Sequence, residues 1–389
     1  MTDTPLVERL RGFTTTIFSE MSQLATQHDA INLGQGFPDT AGPQEVLDEA
    51  VRALRAGRNQ YPPGHGIPEL RRAIAEHQRT FYDLELDPLR EVMVSAGATE
   101  AMSAAILALC EVGAEVVALE PSYDCYAGAV AMAGGRFRQV RLHEPTYSLD
   151  LAELEAALTP RTRIIIVNSP HNPTGHVLTR DELHGIAELA SRHDLIVLTD
   201  EVYEHMVFDD HRHIPIATLP GMFDRTVTIS SAGKTFSVTG WKIGWLTAPA
   251  KFIDAIHTTK QNMTYANGTP FQHGVTAGLG LPPERFRAIG IGYQRLRDIL
   301  AEGLTEAGFD VHPVGGTFFM MADISPLNFD GDGYEFCRRL PEWTGVAAIP
   351  AQVFYGEPQT ARNLVRFCFG KRPEVLAEAA ARLARICRA

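Results

Sequence analysis

Lys234 lies inside Ser230-Ser231-Ala232-Gly233-Lys234-Thr235-Phe236-Ser237-Val238-Thr239-Gly240-Trp241-Lys242-Ile243-Gly244-Trp245, a run of small and polar residues that follows the β-type segment Val227-Thr228-Ile229. Small residues crowded around one lysine bring backbone close to something bulky. Burial lowers a lysine's pKa and lets the neutral amine attack a carbonyl, so the chemistry offered is that of a Schiff-base lysine facing an aldehyde cofactor. Two other motifs overlap the run. Ser231-Ala232-Gly233-Lys234 matches S-x-x-K, but neither S-D-N nor K-T-G occurs in the chain. Gly233-Lys234-Thr235 imitates the end of a P-loop, whose first glycine would fall at Thr228. A solvated surface lysine is the plain alternative.

The elements that must position this lysine read as alternating strands and helices. Glu91–Ser95, Glu115–Leu119, Arg163–Asn168, Leu195–Thr199 and Val227–Ile229 are short apolar runs, with Ile164-Ile165-Ile166-Val167 as continuous as a strand buried on both faces. Helical patterns lie between them. One is expected to start with Thr99 as its N-cap, and another opens on the capping-box pattern Thr179-Arg180-Asp181-Glu182. That beat predicts an α/β fold: a mostly parallel sheet flanked by helices. Helices are also expected over Pro43–Ala56 and Ile67–Tyr82, whereas the arm before Ala30 shows little periodicity. Beyond Lys251 the beat breaks. A helix is predicted over 283–304, strands over Gly316–Met320 and Leu364–Phe369, and a last helix from Pro373. We expect a large domain over residues 44–282 and a smaller α+β domain built from 1–43 and 283–389.

Ligands of open α/β sheets bind beyond the carboxyl ends of the strands. Here those ends carry Gly97-Ala98-Thr99, Tyr123, Asn168 to Pro173, Asp200 to Tyr203, and Ser231 with Lys234. Together they meet the needs of pyridoxal 5′-phosphate. A helix N-terminus at Gly97, Ala98 and Thr99 suits the phosphate, aided by Ser231 and Lys242. Asp200 suits a protonated pyridine nitrogen. Tyr203 and Asn172 can donate to the ring oxygen, and Tyr123 can stack. Arg366, in the otherwise apolar Val365-Arg366-Phe367-Cys368-Phe369, suits a substrate α-carboxylate; an internal salt bridge is its alternative. Phe13, Tyr126, Phe271 and Phe354 are candidate walls of an apolar pocket, each equally a candidate core residue. Leu33 to Asp39 lacks the third glycine of a dinucleotide fingerprint.

Composition narrows the class. The 389 residues favour two domains, and 47 Asp plus Glu against 35 Lys plus Arg argue against a nucleic-acid or anionic-membrane partner. The N-terminus has no apolar h-region, and no apolar run reaches the roughly 18 residues of a membrane helix. Cys110, Cys125, Cys337, Cys368 and Cys387 contain no C-x-x-C pair, so reduced thiols in a cytoplasm and no metal site are expected.

Along nearly its full length the chain resembles the class I/II, fold-type I aminotransferases. The resemblance rests on LGQGFPD (33–39), NQYPPG (59–64), GATEA (97–101), EPSYDCY (120–126), NSPHNPTG (168–175), TDEVYEH (199–205), the run from Ser230 to Trp245, and LVRFCF (364–369). The nearest branch is that of kynurenine, glutamine and methionine aminotransferases, and within it the actinobacterial N-succinyldiaminopimelate aminotransferases. The resemblance implies an aspartate aminotransferase-like fold with a seven-stranded type of sheet, and ping-pong transfer of an amino group from an L-amino acid to a 2-oxo acid. It implies Lys234 as Schiff-base and proton-moving residue, Asp200 on the pyridinium, and Tyr203 and Asn172 on the ring oxygen. Tyr123 would stack, while Ser231, Lys242, Ala98 and Thr99 hold the phosphate. Arg366, with Gly36 and Asn172, would take the substrate carboxylate. Tyr61 would reach the phosphate of a neighbouring subunit, which implies a homodimer. Ser122-Tyr123 replaces the Phe-Phe or Phe-Tyr of many relatives, a change expected to alter the pocket wall. A cysteine-S-conjugate β-lyase on the same cofactor is the alternative. A non-catalytic effector-binding module is more distant, because its basic helix-turn-helix extension has no place before residue 33.

Overall fold

The structure is a computed structural model and describes residues 5–13 and 17–386. In chain order, α1 (Ile17–Gln27), β1 (Ile31–Asn32), α2 (Gln44–Arg55) and α3 (Pro68–Tyr82) lead into β2 (Val92–Ser95) and α4 (Gly97–Leu109). The βα beat continues through β3 (Glu115–Glu120), α5 (Asp124–Ala133), β4 (Arg136–His143), β5 (Ser148–Leu149), α6 (Leu151–Ala157), β6 (Thr162–Asn168) and α7 (Arg180–Arg192). It closes with β7 (Ile196–Asp200), β8 (Thr226–Ser231), α8 (Ala232–Thr235), β9 (Gly244–Thr247) and α9 (Ala250–Lys260). Then follow α10 (Thr269–Leu279), α11 (Pro283–Glu306), β10 (Asp310–Val311), β11 (Phe319–Asp323), α12 (Gly333–Thr344), β12 (Val346–Ala347), β13 (Ile349–Pro350), β14 (Leu364–Cys368) and α13 (Pro373–Leu383).

The large sheet has eight strands in the order β2-β9-β8-β7-β6-β3-β4-β5: seven main strands and the two-residue β5. Its centre, β8-β7-β6-β3-β4, is parallel, and β6 and β7 are lined on both sides by apolar neighbours, as their Ile/Val-rich runs require. β9 runs antiparallel to both β2 and β8. This reversal makes β9 start at the edge where the parallel strands end, with Gly244 opposite both Ser95 and Ser231. A second sheet, β10-β11-β14-β13, is antiparallel where it is paired, and it carries Arg366 opposite Met321 and Ile349. β1 pairs with β12, which ties the N-terminal arm to the C-terminal segment. The two sheets share a core in which Val167, Tyr203, Phe318 and Phe319 meet. No helix among the described residues is long and apolar enough to cross a membrane.

Most expected elements lie where the pattern put them, and the departures have physical reasons. The Thr179 capping box forms, with Thr179 Oγ1 accepting from the Glu182 amide and the Glu182 carboxylate accepting from the Thr179 amide. Thr99 is not an N-cap: α4 begins at Gly97, and Glu100 Oε2 accepts from the Ala96 amide instead. The arm is more ordered than its sequence suggested. Ile17, Phe18, Met21, Leu24 and Ala25 recur at helical spacing, and α1 docks that face on the core. The strand expected over Gly316–Met320 starts only at Phe319, because Thr317 adopts φ +69° and its hydroxyl accepts from the Phe319 amide. The described cysteines, Cys110, Cys125, Cys337 and Cys368, are free thiols. Cys387 lies outside the described residues.

Candidate active site

Five strand ends and one strand start converge on a cavity of about 510 Å³. Gly97, Ala98 and Thr99 come from the N-terminus of α4, and Tyr123 from the turn after β3. Asn172 comes from the loop after β6, Asp200 from the end of β7, Tyr203 from the turn that follows it, and Ser231 and Lys234 from the β8–α8 junction. Lys242 arrives just ahead of β9, while Gly36 and Arg366 arrive from the N-terminal arm and β14. Every expected site residue but Tyr61 therefore lines one cavity. Tyr61 is 83% exposed and packs edge-on against Tyr265 instead.

Glycine is needed where α4 meets β9. Gly97 has φ +79°, and a Cβ there would stand 3.2 Å from Lys242 Nζ. A Cβ on Gly244 would fall 2.5 Å from the Gly97 carbonyl carbon. The paired glycines let the helix N-terminus sit against the strand, with its amides beside the Lys242 ammonium, a ready anion site. Ser231 Oγ accepts from the Gly233 amide and caps α8, which sets the turn carrying Lys234. Asn267 Nδ2 donates to both Ser95 O and Lys242 O, tying the two sides of this edge together.

Lys234 is half-buried at the cavity wall. Desolvation pushes its ammonium down to about 8 against the opposing pull of Cys368 and Asp200. Nζ donates to Gly36 O at 3.0 Å and stands 5.1 Å from the centre of the Phe318 ring. Burial also pushes the Asp200 carboxyl up, while a 2.7 Å hydrogen bond from Tyr126 Oη to Oδ2 opposes it. Asn168 Nδ2 donates to Asp200 O and Asn168 Oδ1 accepts from the Asn172 amide, so one buried side chain sets two site segments.

Arg366 has no ionic partner among the described residues, which removes the internal salt bridge. Its NH1 donates to Asn172 Oδ1 at 3.1 Å and NH2 to Gly34 O at 2.9 Å, while Nε is buried without a partner. The guanidinium is flanked by Phe319 and Phe354, 4.0 and 4.8 Å from the ring centres. Burial pushes it down to about 10. A buried, ionically unpaired arginine with an orphaned donor is costly alone, and a carboxylate satisfies it. With Asn172 Oδ1 occupied by Arg366, Asn172 Nδ2 remains available to donate.

The pocket expectation for four aromatics needs correction. Tyr126 does line the cavity, as the partner of Asp200. Phe354 sits behind Arg366, Phe271 stacks on Trp241, and Phe13 is 45% exposed. These three are absent from the wall: the Phe354 and Phe271 rings pack against neighbours, and the Phe13 ring faces solvent. The wall includes Asn168, as its strand-end position suggested, and also Phe18, Gln35, Thr239 and Phe319, which sequence reasoning missed. Phe18 and Gln35 belong to the arm whose helical face went unread. Ser122 does not line the cavity; its hydroxyl accepts from Gln139 Nε2, so the Ser122 departure leaves the wall unchanged.

Behind β7 and β8 lies a second polar cluster. Tyr82 Oη and Ser230 Oγ donate to the two oxygens of Glu204, and His77 and His205 share a 2.7 Å Nε2···Nε2 hydrogen bond. The donor atoms of His77, Glu204 and His205 lie within 4.8 Å of one another. The nitrogen spacing is that of a hydrogen bond, below the about 3.3 Å that two nitrogens on one tetrahedral zinc require.

The aldehyde-reactive amine, the buried carboxylate, the anion-binding helix end and the orphaned guanidinium form a donor set that fits pyridoxal phosphate with an amino-acid carboxylate. Comparison with known proteins agrees. The family model described as aminotransferase class I and II matches residues 28–383. A probable N-succinyldiaminopimelate aminotransferase of Mycobacterium tuberculosis is 49% identical over 97% of each chain. A methionine aminotransferase of Escherichia coli is 40% identical over 98% of this chain and 99% of its own. The solved structure of N-succinyldiaminopimelate aminotransferase from Mycobacterium tuberculosis superposes with a TM-score of 0.96 at 50% identity, covering 98% of this chain and 100% of that one. The chain thus belongs to the class I and II aminotransferases, a generally pyridoxal-phosphate-dependent family, and moves an amino group between amino and 2-oxo acids.

Proposed function

We propose that this aminotransferase holds pyridoxal 5′-phosphate in the cavity around Lys234 and serves the amino donor and the 2-oxo acid acceptor in turn at that one site. The observation that carries the reading is the half-buried Lys234 amine, pushed down to about 8 by desolvation, in one cavity with Asp200 and the orphaned Arg366. When bound, the cofactor supplies an electron sink for the α-carbon of the amino acid. Lys234 Nζ would hold the cofactor aldehyde, and its amine would carry the proton at the substrate α-carbon. Asp200 holds the proton on the pyridine nitrogen, and Tyr203 Oη and Asn172 Nδ2 donate to the ring oxygen. Tyr123 covers the ring face. Ser231, Lys242 and the amides of Gly97, Ala98 and Thr99 cradle the phosphate. Arg366, with Asn172 and the backbone of Gly36, orients the substrate carboxylate.

The same reading places Tyr61 on the phosphate of a second subunit in a homodimer, consistent with its exposure in the single chain. It assigns residues 44–282 to the cofactor-holding domain and residues 1–43 with 283–389 to the domain that brings Arg366. The compartment is the cytoplasm. Donors of the N-succinyldiaminopimelate, methionine, glutamine, kynurenine or aromatic type are the class we assign.

The test starts from protein stripped of cofactor. Added pyridoxal phosphate produces the long-wavelength absorbance of a lysine-bound aldehyde in wild type and not in Lys234→Ala. That band decays when N-succinyldiaminopimelate, methionine or kynurenine is added, and the rates rank the donors. Absence of the band in wild type defeats the reading. Release of thiol and pyruvate from a cysteine conjugate, faster than keto-acid formation from any donor, replaces transfer with the lyase.

A further inference from the structure

Tyr126 lies in the first turn of α5 and is buried at 2% exposure, yet it carries no role in the cofactor scheme above. Its hydroxyl donates to Asp200 Oδ2 at 2.7 Å. The other oxygen, Oδ1, has a 3.4 Å contact from the Val202 amide, and Asn168 fixes the Asp200 carbonyl. The Tyr126 ring also meets the Tyr123 ring edge to face, with centres 5.9 Å apart at 86°. One side chain therefore touches both the carboxylate and the aromatic wall of the cavity.

A buried carboxylate can rotate about its last torsion, which is broad. Of the two contacts on Asp200, the amide is long and weak, whereas the tyrosine bond is short and lies in a water-poor setting where hydrogen bonds to ions are strongest. Burial raises the Tyr126 phenol well above its usual value, so it remains a donor at any working pH. We propose that Tyr126 is a positioning residue: its hydroxyl fixes the plane of the Asp200 carboxylate and so sets how strongly Asp200 engages a protonated heteroaromatic nitrogen, while its ring sets the tilt of Tyr123. This rests on the cofactor reading above.

Tyr126→Phe keeps the ring packing and deletes only the donor. With a hydrogen bond to a charged group removed, the affinity of stripped protein for pyridoxal phosphate falls about tenfold or more. The absorbance maximum of the bound cofactor shifts, and kcat falls while the KM for the amino donor stays within about twofold. The unfolding midpoint of the stripped variant shows that it folds. In the Asp200→Asn background the same Tyr126→Phe change alters affinity by less than about twofold, because the hydroxyl acts through that carboxylate. A Tyr126→Phe protein with wild-type affinity, spectrum and kcat overturns the inference. So does an undiminished effect in the Asp200→Asn background, which would make Tyr126 a packing residue only. A wild type that takes up no cofactor overturns the cofactor reading and this inference together, whereas a wild type that binds beside an indistinguishable Tyr126→Phe overturns this inference alone.

Discussion

Asp200 and Glu204 stand four residues apart on the segment that leaves β7, and both are almost fully buried. Their surroundings differ. Glu204 has both oxygens saturated by Tyr82 and Ser230. Burial opposes its charge, yet its pKa is held below the usual carboxylate value. His77 and His205 are themselves driven toward neutrality by burial, His205 to about 3. We therefore credit the hydroxyl donors, together with His213, whose own pKa is raised by the carboxylates of Glu201 and Glu204, with keeping Glu204 ionised. Asp200 has one strong donor, faces open cavity, and is pushed up. Lys234 and Arg366, on the cavity side, are likewise displaced toward their neutral forms by burial. The saturated cluster holds β7, β8 and α3 together; the unsaturated one stores interactions for a ligand. Where buried charge lacks a partner, the fold is bearing a cost that binding relieves.

If that contrast is right, changes on the two sides move activity and stability in opposite directions. The largest effect is on Lys234. Lys234→Ala is expected to lose transamination by about 10⁴-fold or more while keeping its fold, measured as keto-acid formation beside the unfolding midpoint. Arg366→Met should lower kcat/KM for amino donors by roughly 10²-fold, from the lost charged hydrogen bonds, yet raise the stability of cofactor-free protein by about 1–2 kcal/mol in denaturant melts. A destabilised Arg366→Met would erase the distinction.

On the saturated side, Glu204→Ala should cost about 3 kcal/mol of stability, since two buried hydroxyls lose their acceptor and the site loses volume. Tyr82→Phe is the milder version, at about 1–2 kcal/mol, with kcat/KM within roughly twofold of wild type. A large catalytic loss in Tyr82→Phe at unchanged stability would move this cluster to the functional side.

A further effect is in pH dependence. Lys234 is driven below its unfolded value of 10.5 to about 8, so between those values the unfolded chain binds more protons than the folded one. Stability of cofactor-free protein should therefore rise with pH across that window. Lys234→Met should flatten the rise and be more stable at neutral pH, by on the order of 2–3 kcal/mol. A melt series from pH 7 to 10.5, compared between the two proteins, reads it directly.

Much of the architecture was legible because its signals are local. Continuous Ile/Val runs in β6 and β7 name buried strands, the Thr179–Glu182 pair names a helix start, and the polar residues after each strand name a site at one sheet edge. The α1 helix also has a local signal, in the spacing of Phe18, Met21 and Ala25. Thr317 and its positive φ held back the start of β11, a backbone choice that strand propensity does not encode.

Residue types and their order along strand ends sufficed to pick out Lys234, Asp200, Tyr203, Asn172 and Arg366, because an amine, a carboxylate and a guanidinium on buried apolar strands are expensive unless they have work to do. Which of these lacked partners could be decided only in three dimensions. The bond from Tyr126 to Asp200 spans 74 positions, that from Arg366 to Gly34 spans 332, and the arm that brings Phe18 and Gln35 to the wall is held through β1 on β12. Saturation of a buried charge is a property of neighbours far apart in the chain. No local pattern records it, and the tertiary packing of the two sheets decides it.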